Sequence, residues 1–381
     1  MSGSVGRSGA RSAGPTEDDL RHLERARTLA PGGWGRVHPN PLVGCVLVRN
    51  DKVVGEGFHD RFGGPHAEIV ALEAAFGEAE GATAYVSLEP CNHHGKTPPC
   101  SEALLQAGIT KIVYGAADPG RRSGGGGDRL RSAGLEVVGP VWSEREARAD
   151  NPAFFHTQLH GTPYVALKLA MSLDARIAAA PGRRTRITGE DAEREVHRLR
   201  SGFDAVLVGA GTLRADDPRL TVRLAPAGER PLRRVVLDSG ASTPSDAALF
   251  GEVGAEAPVH LFTREAVAEA EIERLEERGA HVHPVGEGPH GLDLGAVWSV
   301  LWDIGVRSIF CEGGRRVADR LLREDRVQRL QLFVAPVTLG AAGLPAFGDD
   351  ADSLDWSDFE PVGPPRLFGR DALLTYDRTG A

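Results

Sequence analysis

The sequence predicts an α/β protein of two domains, each a sheet flanked by helices. Three observations carry this expectation. At 381 residues the chain exceeds what one ordinary core accommodates. Apolar runs of strand length alternate with segments of helical period, and the alternation restarts after Gly161-Thr162-Pro163. Hydrophobic residues make up 41% and charged residues 25%, the composition of a globular protein.

Residues 1–16 read as a disordered tail, rich in Gly, Ser, Arg and Ala through Pro15, with no apolar segment of a secretory signal. Residues 17–161 form the first expected domain. Thr16 is a helix N-cap ahead of Glu17, Asp18 and Asp19, and the helix runs to Pro31. Leu42–Val48 and Val53–Phe58 read as strands, and Ala67–Phe76 has helical period. Ala84–Leu88 is a buried strand, Ser101–Ala107 a helix closed by Gly108, and Lys111–Ala116 another strand. The glycine-rich stretch Arg121–Asp128 is expected as loop, Leu135–Val138 as a short strand and Glu144–Leu159 as a helical connector.

Residues 162–381 form the second expected domain. Strands are expected at Tyr164–Ala170, Ala205–Val208, Arg234–Leu237, Pro258–Phe262, Ser308–Cys311 and Leu330–Ala335. Helical segments fall between them at Ala192–Arg200, Glu265–Arg278, Val297–Ile304 and Arg315–Leu322. Apolar strands separated by helices imply a mostly parallel sheet covered on both faces, with ligands bound beyond the carboxyl ends of its strands.

Composition excludes some partners. A net charge of −9 argues against a nucleic-acid surface, and no run of about 18 apolar residues exists to span a membrane. Of four cysteines, Cys45 and Cys311 lie in apolar strand-like runs, a usage that fits a reducing cytoplasm better than a disulfide framework.

The other two cysteines carry the chemistry. His66-Ala67-Glu68 is followed, after a strand, by Pro90-Cys91 and then by Pro99-Cys100. One imidazole and two thiolates leave a fourth zinc vertex for water, and a nearby carboxylate that need not bind metal can move protons. H-x-E followed by P-C…C is the pattern of zinc-dependent deaminases, although eight residues separate the cysteines here instead of two. His66, Cys91 and Cys100 are the expected ligands and Glu68 the expected proton carrier. His59, His93 and His94 are expected at the surface or against substrate.

The cysteine loop resembles that of the bifunctional riboflavin-biosynthesis deaminase–reductases of bacteria. So do Pro39-Asn40-Pro41-Leu42-Val43-Gly44-Cys45-Val46 and Gly64-Pro65-His66-Ala67-Glu68. The likeness continues through Leu167–Asp174, Asp216–Arg223 and Glu312-Gly313-Gly314. The resemblance implies a cytidine-deaminase-like three-layer domain followed by a dihydrofolate-reductase-like doubly wound domain. It implies zinc-dependent removal of the 2-amino group of 2,5-diamino-6-(5-phosphoribosylamino)pyrimidin-4(3H)-one, then NADPH reduction of the ribosyl chain. It places a pyrimidine contact on Asn40. Cofactor contacts fall on Ala170, Thr212, Asp216 and Gly314, and substrate contacts on Lys168, Arg200, Leu220, Arg223 and Glu312, with Arg200 and Arg223 suited to a phosphate. These folds often assemble as homo-oligomers.

The chain departs from the family pattern at three places: one, Val327-Gln328-Arg329-Leu330 where the family commonly has an acidic pair, is expected to be a surface change, and two bear on the sites. Where the family has a substrate-contacting serine and a cofactor-contacting tryptophan, this chain has Arg184 and Arg186. Arg186 is able to stack on a ring or pair with a 2′-phosphate, and the change equally suits a silent or retargeted reductase in a specialised pathway. The loop usually reading Asp-Pro-Asn-Pro is Asp118-Pro119-Gly120-Arg121 here. A nucleic-acid-editing deaminase is the third reading, opposed by the acidic charge.

Overall fold

The computed structural model describes residues 14–94, 98–223, 232–251, 258–348 and 356–379. Most of the expected tail and residues 95–97 of the cysteine loop lie outside them. The chain divides into two compact units, Met1–Leu159 and His160–Ala381.

The first unit runs α1 (Glu17–Leu29), β1 (Gly44–Arg49), β2 (Lys52–Phe58), α2 (Ala67–Ala74), β3 (Thr83–Leu88), α3 (Cys100–Gln106), β4 (Lys111–Ala116), α4 (Gly126–Ser132), β5 (Glu136–Val138), α5 (Glu144–Asp150) and α6 (Pro152–His160). Its sheet has the order β2-β1-β3-β4-β5. β1 is antiparallel to β2 and β3, whereas β3, β4 and β5 are parallel. Alternate strand residues enter two different cores. Cys45, Leu47, Val86 and Ile112 face one, while Val46, Val48, Tyr85 and Val113 face the other with Leu23 and Ala26 of α1. That is the three-layer arrangement expected of strands buried on both sides.

Thr16 caps α1 as its sequence implies: its hydroxyl accepts the Asp19 N–H at 3.1 Å, and the Asp19 carboxylate accepts the Thr16 N–H at 3.0 Å. Asp19 also accepts from Tyr85 Oη and Lys111 Nζ, so one buried carboxylate fastens the helix to β3 and β4. Two expectations need correcting. The Arg121–Asp128 loop ends early, because α4 begins at Gly126. A Cβ at Gly126 would sit 1.8 Å from the Pro90 carbonyl oxygen, so glycine lets this helix start against the Cys91 loop. The helical connector is two helices parted at Asn151, because Pro152 cannot continue the first.

The second unit contains β6 (Tyr164–Ser172), β7 (Arg176–Ala178), α7 (Glu190–Ser201), β8 (Ala205–Gly209), α8 (Ala210–Asp216), β9 (Arg233–Leu237), β10 (Val259–Arg264), α9 (Glu269–Glu276) and β11 (Ala280–Val285). Then come β12 (Glu287–Gly288), β13 (Gly291–Leu292), α10 (Leu294–Asp303), β14 (Ser308–Cys311), α11 (Arg315–Arg323), β15 (Arg329–Ala335), β16 (Leu344–Pro345), β17 (Phe359–Pro361), β18 (Arg366–Phe368) and β19 (Asp371–Arg378). The main sheet is ordered β11-β10-β9-β8-β14-β6-β15-β19-β17, with β18 on β19. Strands β11 through β15 of that order run parallel, and β19 and β17 continue it antiparallel. Leu207 and Val235 face one core and Val206 and Val236 the other. The sequence reading missed α8, β11 and the three C-terminal strands, where polar residues interrupt the apolar runs. It also began α9 four residues early. Among the described residues no helix is long and apolar enough to cross a membrane.

β10 and β11 bring three imidazoles together. His260 is buried, its Nδ1 lies 3.0 Å from Nε2 of His283, and its ring stacks on His281 and His283. Burial, reinforced by the two neighbouring histidines and Arg233, pushes its pKa down to about 3. An unfolded imidazole titrates near 6.5. Below that pH the unfolded chain binds a proton that the folded chain refuses, so stability falls as pH falls and is unaffected above pH 7. His260→Leu should relieve about 2 kcal/mol of the acid destabilisation at pH 5, read as a shallower fall of Tm between pH 7 and 5. An unchanged slope would show that His260 is not a source of the acid sensitivity.

Candidate active sites

The first site is assembled by helix starts and one strand end. His66 sits at the extended N-cap position of α2, and Cys100 is the first residue of α3. Strand β3 delivers Glu89-Pro90-Cys91 to the same place. His66 Nδ1 lies 3.2 Å from the Cys100 sulfur and 3.6 Å from the Cys91 sulfur, and the Cys100 N–H points at the Cys91 sulfur at 3.4 Å. The three donor atoms lie within 4.8 Å of one another. The Cys91 thiol is brought down to about 4, chiefly by hydrogen bonding from Cys100 and also by His66. The Cys100 thiol, as donor in that pair, is pushed up. Two sulfurs this close repel each other as thiolates, and a divalent cation would stabilise both. One nitrogen and two sulfurs form the donor set of a hydrolytic zinc site with a vertex left for water. The residues therefore fit zinc.

Glu68 occupies the first turn of α2, 3% exposed. Burial raises its pKa to about 6, against the pull of His66. His66, Glu68 and Cys91 line a cavity of about 610 Å³ together with Asn40, His59 and Asp118. The Asn40 Nδ2 lies 3.1 Å from His59 Nε2, and His59 Nδ1 lies 3.0 Å from the Pro65 carbonyl oxygen. A proton on Nδ1 satisfies both contacts: His59 then donates to Pro65 and accepts from Asn40. His59 is thus not a surface group but a buried support for Asn40, outside the ligand triad. His93 lines the cavity, while His94 is exposed and 3.6 Å from Glu102.

Sequence reasoning missed Glu89. Its carboxylate accepts the N–H groups of Asp118 and Gly127, which pins the altered 118–127 loop over the site. Its position beside Pro90-Cys91 was the available signal.

The second site lies at the carboxyl ends of the parallel strands. Lys168, Ala170, Arg184, Arg186, Arg200, Thr212, Asp216, Leu220, Arg223, Glu312 and Gly314 all line one cavity of about 850 Å³. Every residue expected there from the resemblance is therefore on its wall. Arg200 does not offer a free cation. Its Nε and Nη2 bind Glu312 at 2.7 and 2.6 Å, and its Nη1 binds the Thr221 carbonyl. Arg200 and Lys168 hold the Glu312 carboxyl low despite its burial. Burial lowers the pKa of Lys168, with Glu312 opposing. Arg186 pairs with Glu193 at 3.0 Å. Arg184 and Arg223 form no ion pair among the described residues, and the Arg184 charge acts on the Asp216 carboxylate. His197 was not anticipated; it is buried and accepts the Arg223 N–H at 3.2 Å.

The Gly313-Gly314 turn has φ of 73° and 62°, and a Cβ on Gly314 would come 2.5 Å from Thr212 Oγ1. Only glycine permits this approach of backbone to α8, and it leaves a backbone cradle at the start of α11 of the kind that takes a phosphate. The residues fit a dinucleotide.

Comparison with known proteins finds matching families over both units. The RibD C-terminal domain family matches residues 163–361, and the cytidine and deoxycytidylate deaminase zinc-binding region matches residues 16–116. The chain is 37% identical to the riboflavin biosynthesis protein RibD of Actinobacillus pleuropneumoniae, over 95% of this chain and 96% of that protein. It is also 37% identical to RibD of Escherichia coli strain K12, over 91% and 97%. Among solved structures, Acinetobacter baumannii RibD superposes with a TM-score of 0.81 at 32% identity, covering 95% of this chain and 99% of that one. A diaminohydroxyphosphoribosylaminopyrimidine deaminase/5-amino-6-(5-phosphoribosylamino)uracil reductase from Thermotoga maritima gives 0.79 at 33% identity, covering 94% and 98%.

Two measurements check this geometry. Cys91→Ser should lower bound zinc from about one ion per chain to a small fraction of that, measured by elemental analysis after dialysis; full retention would remove Cys91 from the ligand set. Arg200→Ala leaves the Glu312 carboxylate buried and unpaired and should cost roughly 3–5 kcal/mol, recovered in part by adding Glu312→Gln. A Tm unchanged by Arg200→Ala would show that the pair is not structural.

Proposed function

This chain belongs to the RibD family of bifunctional riboflavin-biosynthesis deaminase–reductases, and from that premise we propose which of its residues perform each reaction. The first is hydrolytic loss of the 2-amino group of 2,5-diamino-6-(5-phosphoribosylamino)pyrimidin-4(3H)-one. The second reduces the ribosyl chain of the product to ribityl with NADPH. The observation that carries the deaminase assignment is the convergence of His66, Cys91 and Cys100 within 4.8 Å beside a buried Glu68.

His66 Nδ1 and the two sulfurs would hold Zn²⁺, which when bound makes hydroxide available near neutral pH. Asn40, steadied by His59, orients the pyrimidine by its amide. Glu68 takes the proton of the attacking water on its carboxylate. It then passes protons to the ring nitrogen and to the departing amine, which leaves as ammonia while the carbon gains the water oxygen. Burial disfavours the charged form of Glu68, which suits it both to take and to give a proton.

In the second unit, Ala170, Thr212, Asp216 and the Gly314 turn would hold NADPH, which when bound supplies the hydride. Lys168, Leu220 and Glu312 line the sugar side, and Arg184 and Arg223 are the guanidinium groups placed to take the substrate phosphate. Arg200 serves by fixing Glu312. Reduction opens the sugar ring and leaves an oxygen that needs a proton; Lys168, whose pKa is lowered by burial, is the donor we assign to it. Arg186, tied to Glu193, replaces the family's aromatic contact with a charged rim. All four cysteines are free, and two must act as thiolates, which favours a reducing cytoplasm.

Glu68→Gln should retain zinc but lower ammonia release about 10²–10⁴-fold. The same variant should still oxidise NADPH when given the deaminated intermediate. Ammonia release at the wild-type rate would exclude Glu68 as the proton carrier. Absence of NADPH oxidation by wild-type protein would exclude the reductase reading while leaving the deaminase untouched.

A further inference from the structure

A second cavity of about 850 Å³ adjoins the reductase site and shares Ile177, Thr185, Thr212, Asp216 and Gly314 with it. It extends over the carboxyl ends of β8 and β9 to the turn Asp238-Ser239-Gly240. In doubly wound dinucleotide-binding folds an acid just beyond a strand's carboxyl end binds the adenosine 2′-hydroxyl, whereas an arginine nearby accommodates a 2′-phosphate. Asp238 stands at that place, but its carboxylate is engaged. Oδ2 accepts the Thr243 N–H at 2.7 Å and the Thr243 hydroxyl at 2.6 Å, while Oδ1 accepts the Ser242 hydroxyl at 2.8 Å. Asp238 is 1% exposed, so a ribose diol finds no available acceptor on it.

Arg214, in the last turn of α8, faces the same turn. Its Nη1 donates to the Ser242 oxygen at 2.6 Å, so the serine proton goes to Asp238 and the guanidinium is oriented by the relay. Among the described residues Arg214 has no carboxylate partner, and its side chain is exposed to the cavity. Five arginine against three aspartate side chains line this cavity, and Asp319, one of the three, is occupied by the Gly348 N–H and Arg315.

Resting on the reductase reading above, we propose that Arg214, aligned by Ser242 and Asp238, binds the 2′-phosphate of the dinucleotide and makes this reductase select NADPH over NADH. Guanidinium matches phosphate in shape and charge, and Gly240 has open space around it for the approach. Arg214 contacts the cofactor far from the transferred hydride, so it sets specificity and takes no part in chemistry.

The test is equilibrium binding of NADPH and NADH to the zinc-loaded full chain, followed by ligand fluorescence, with adenosine 2′,5′-bisphosphate and 5′-AMP as competing fragments. Wild-type protein should bind the 2′-phosphorylated member of each pair more tightly. Arg214→Ala should weaken NADPH about 10- to 100-fold, leave NADH unchanged and keep the Tm of the wild type. Ser242→Ala, which removes the alignment but keeps the charge, should lose part of the same preference. Equal weakening of both dinucleotides, or no weakening, overturns the assignment. So does wild-type protein that binds NADH as tightly as NADPH. Wild-type protein that binds neither dinucleotide overturns the reductase reading itself, a result distinguishable from failure of Arg214 alone.

Discussion

Two sulfurs and an imidazole nitrogen held within 4.8 Å are the constraint around which the first unit is organised. Bringing thiolates this close is unfavourable unless a proton or a cation neutralises them. The fold arranges the approach with rigid parts. Helix starts supply His66 and Cys100, strand β3 supplies Cys91, and the dipoles at those helix starts favour the anionic sulfur. Glycine at 126 lets α4 begin against Pro90, and Glu89 ties the neighbouring loop down. The carboxyl of Glu68 is buried beside this group, so the same packing that positions the donors also tunes the proton carrier.

The second unit solves a different problem with the same logic. Parallel strands end together, and their loops form a continuous wall over two adjoining cavities. Close approach of the Gly314 turn to Thr212 marks the point where the cavities meet. Charge is distributed unevenly along this wall. Near Glu312, Arg200 and Lys168 face that carboxylate, whereas Arg184, Arg223 and Arg214 form no ion pair among the described residues. Cations held ready in this way suit ligands that carry phosphate at both ends of the cleft.

The two arginines that depart from the family pattern fit this distribution. Arg186 is engaged by Glu193 and sits at the rim, so it removes an aromatic surface without leaving an unpaired charge. Arg184 lines the same cavity as Arg223, and its charge acts on the Asp216 carboxylate. Arg184 and Arg186 therefore alter the charge that lines the cleft while leaving Lys168, Glu312 and the Gly314 turn in place.

Much of this was legible in the chain itself. His66, Glu68, Cys91 and Cys100 are chemically distinctive, and their spacing around a strand confines them to one site. Apolar runs reported the central strands because both faces of those strands are buried. Strands β11 and β17 to β19 were not legible, since their alternating polar residues reflect pairing at a sheet edge, a long-range event. The sequence likewise placed Arg200 among phosphate ligands and His59 at the surface or against substrate. Only the tertiary structure decided that Glu312, 112 residues away in sequence, takes up the Arg200 guanidinium, and that Pro65 and Asn40 take up both nitrogens of His59. Motif identity is local chemistry and survives in one dimension; whether a polar group is free or already satisfied depends on partners that only folding brings within reach.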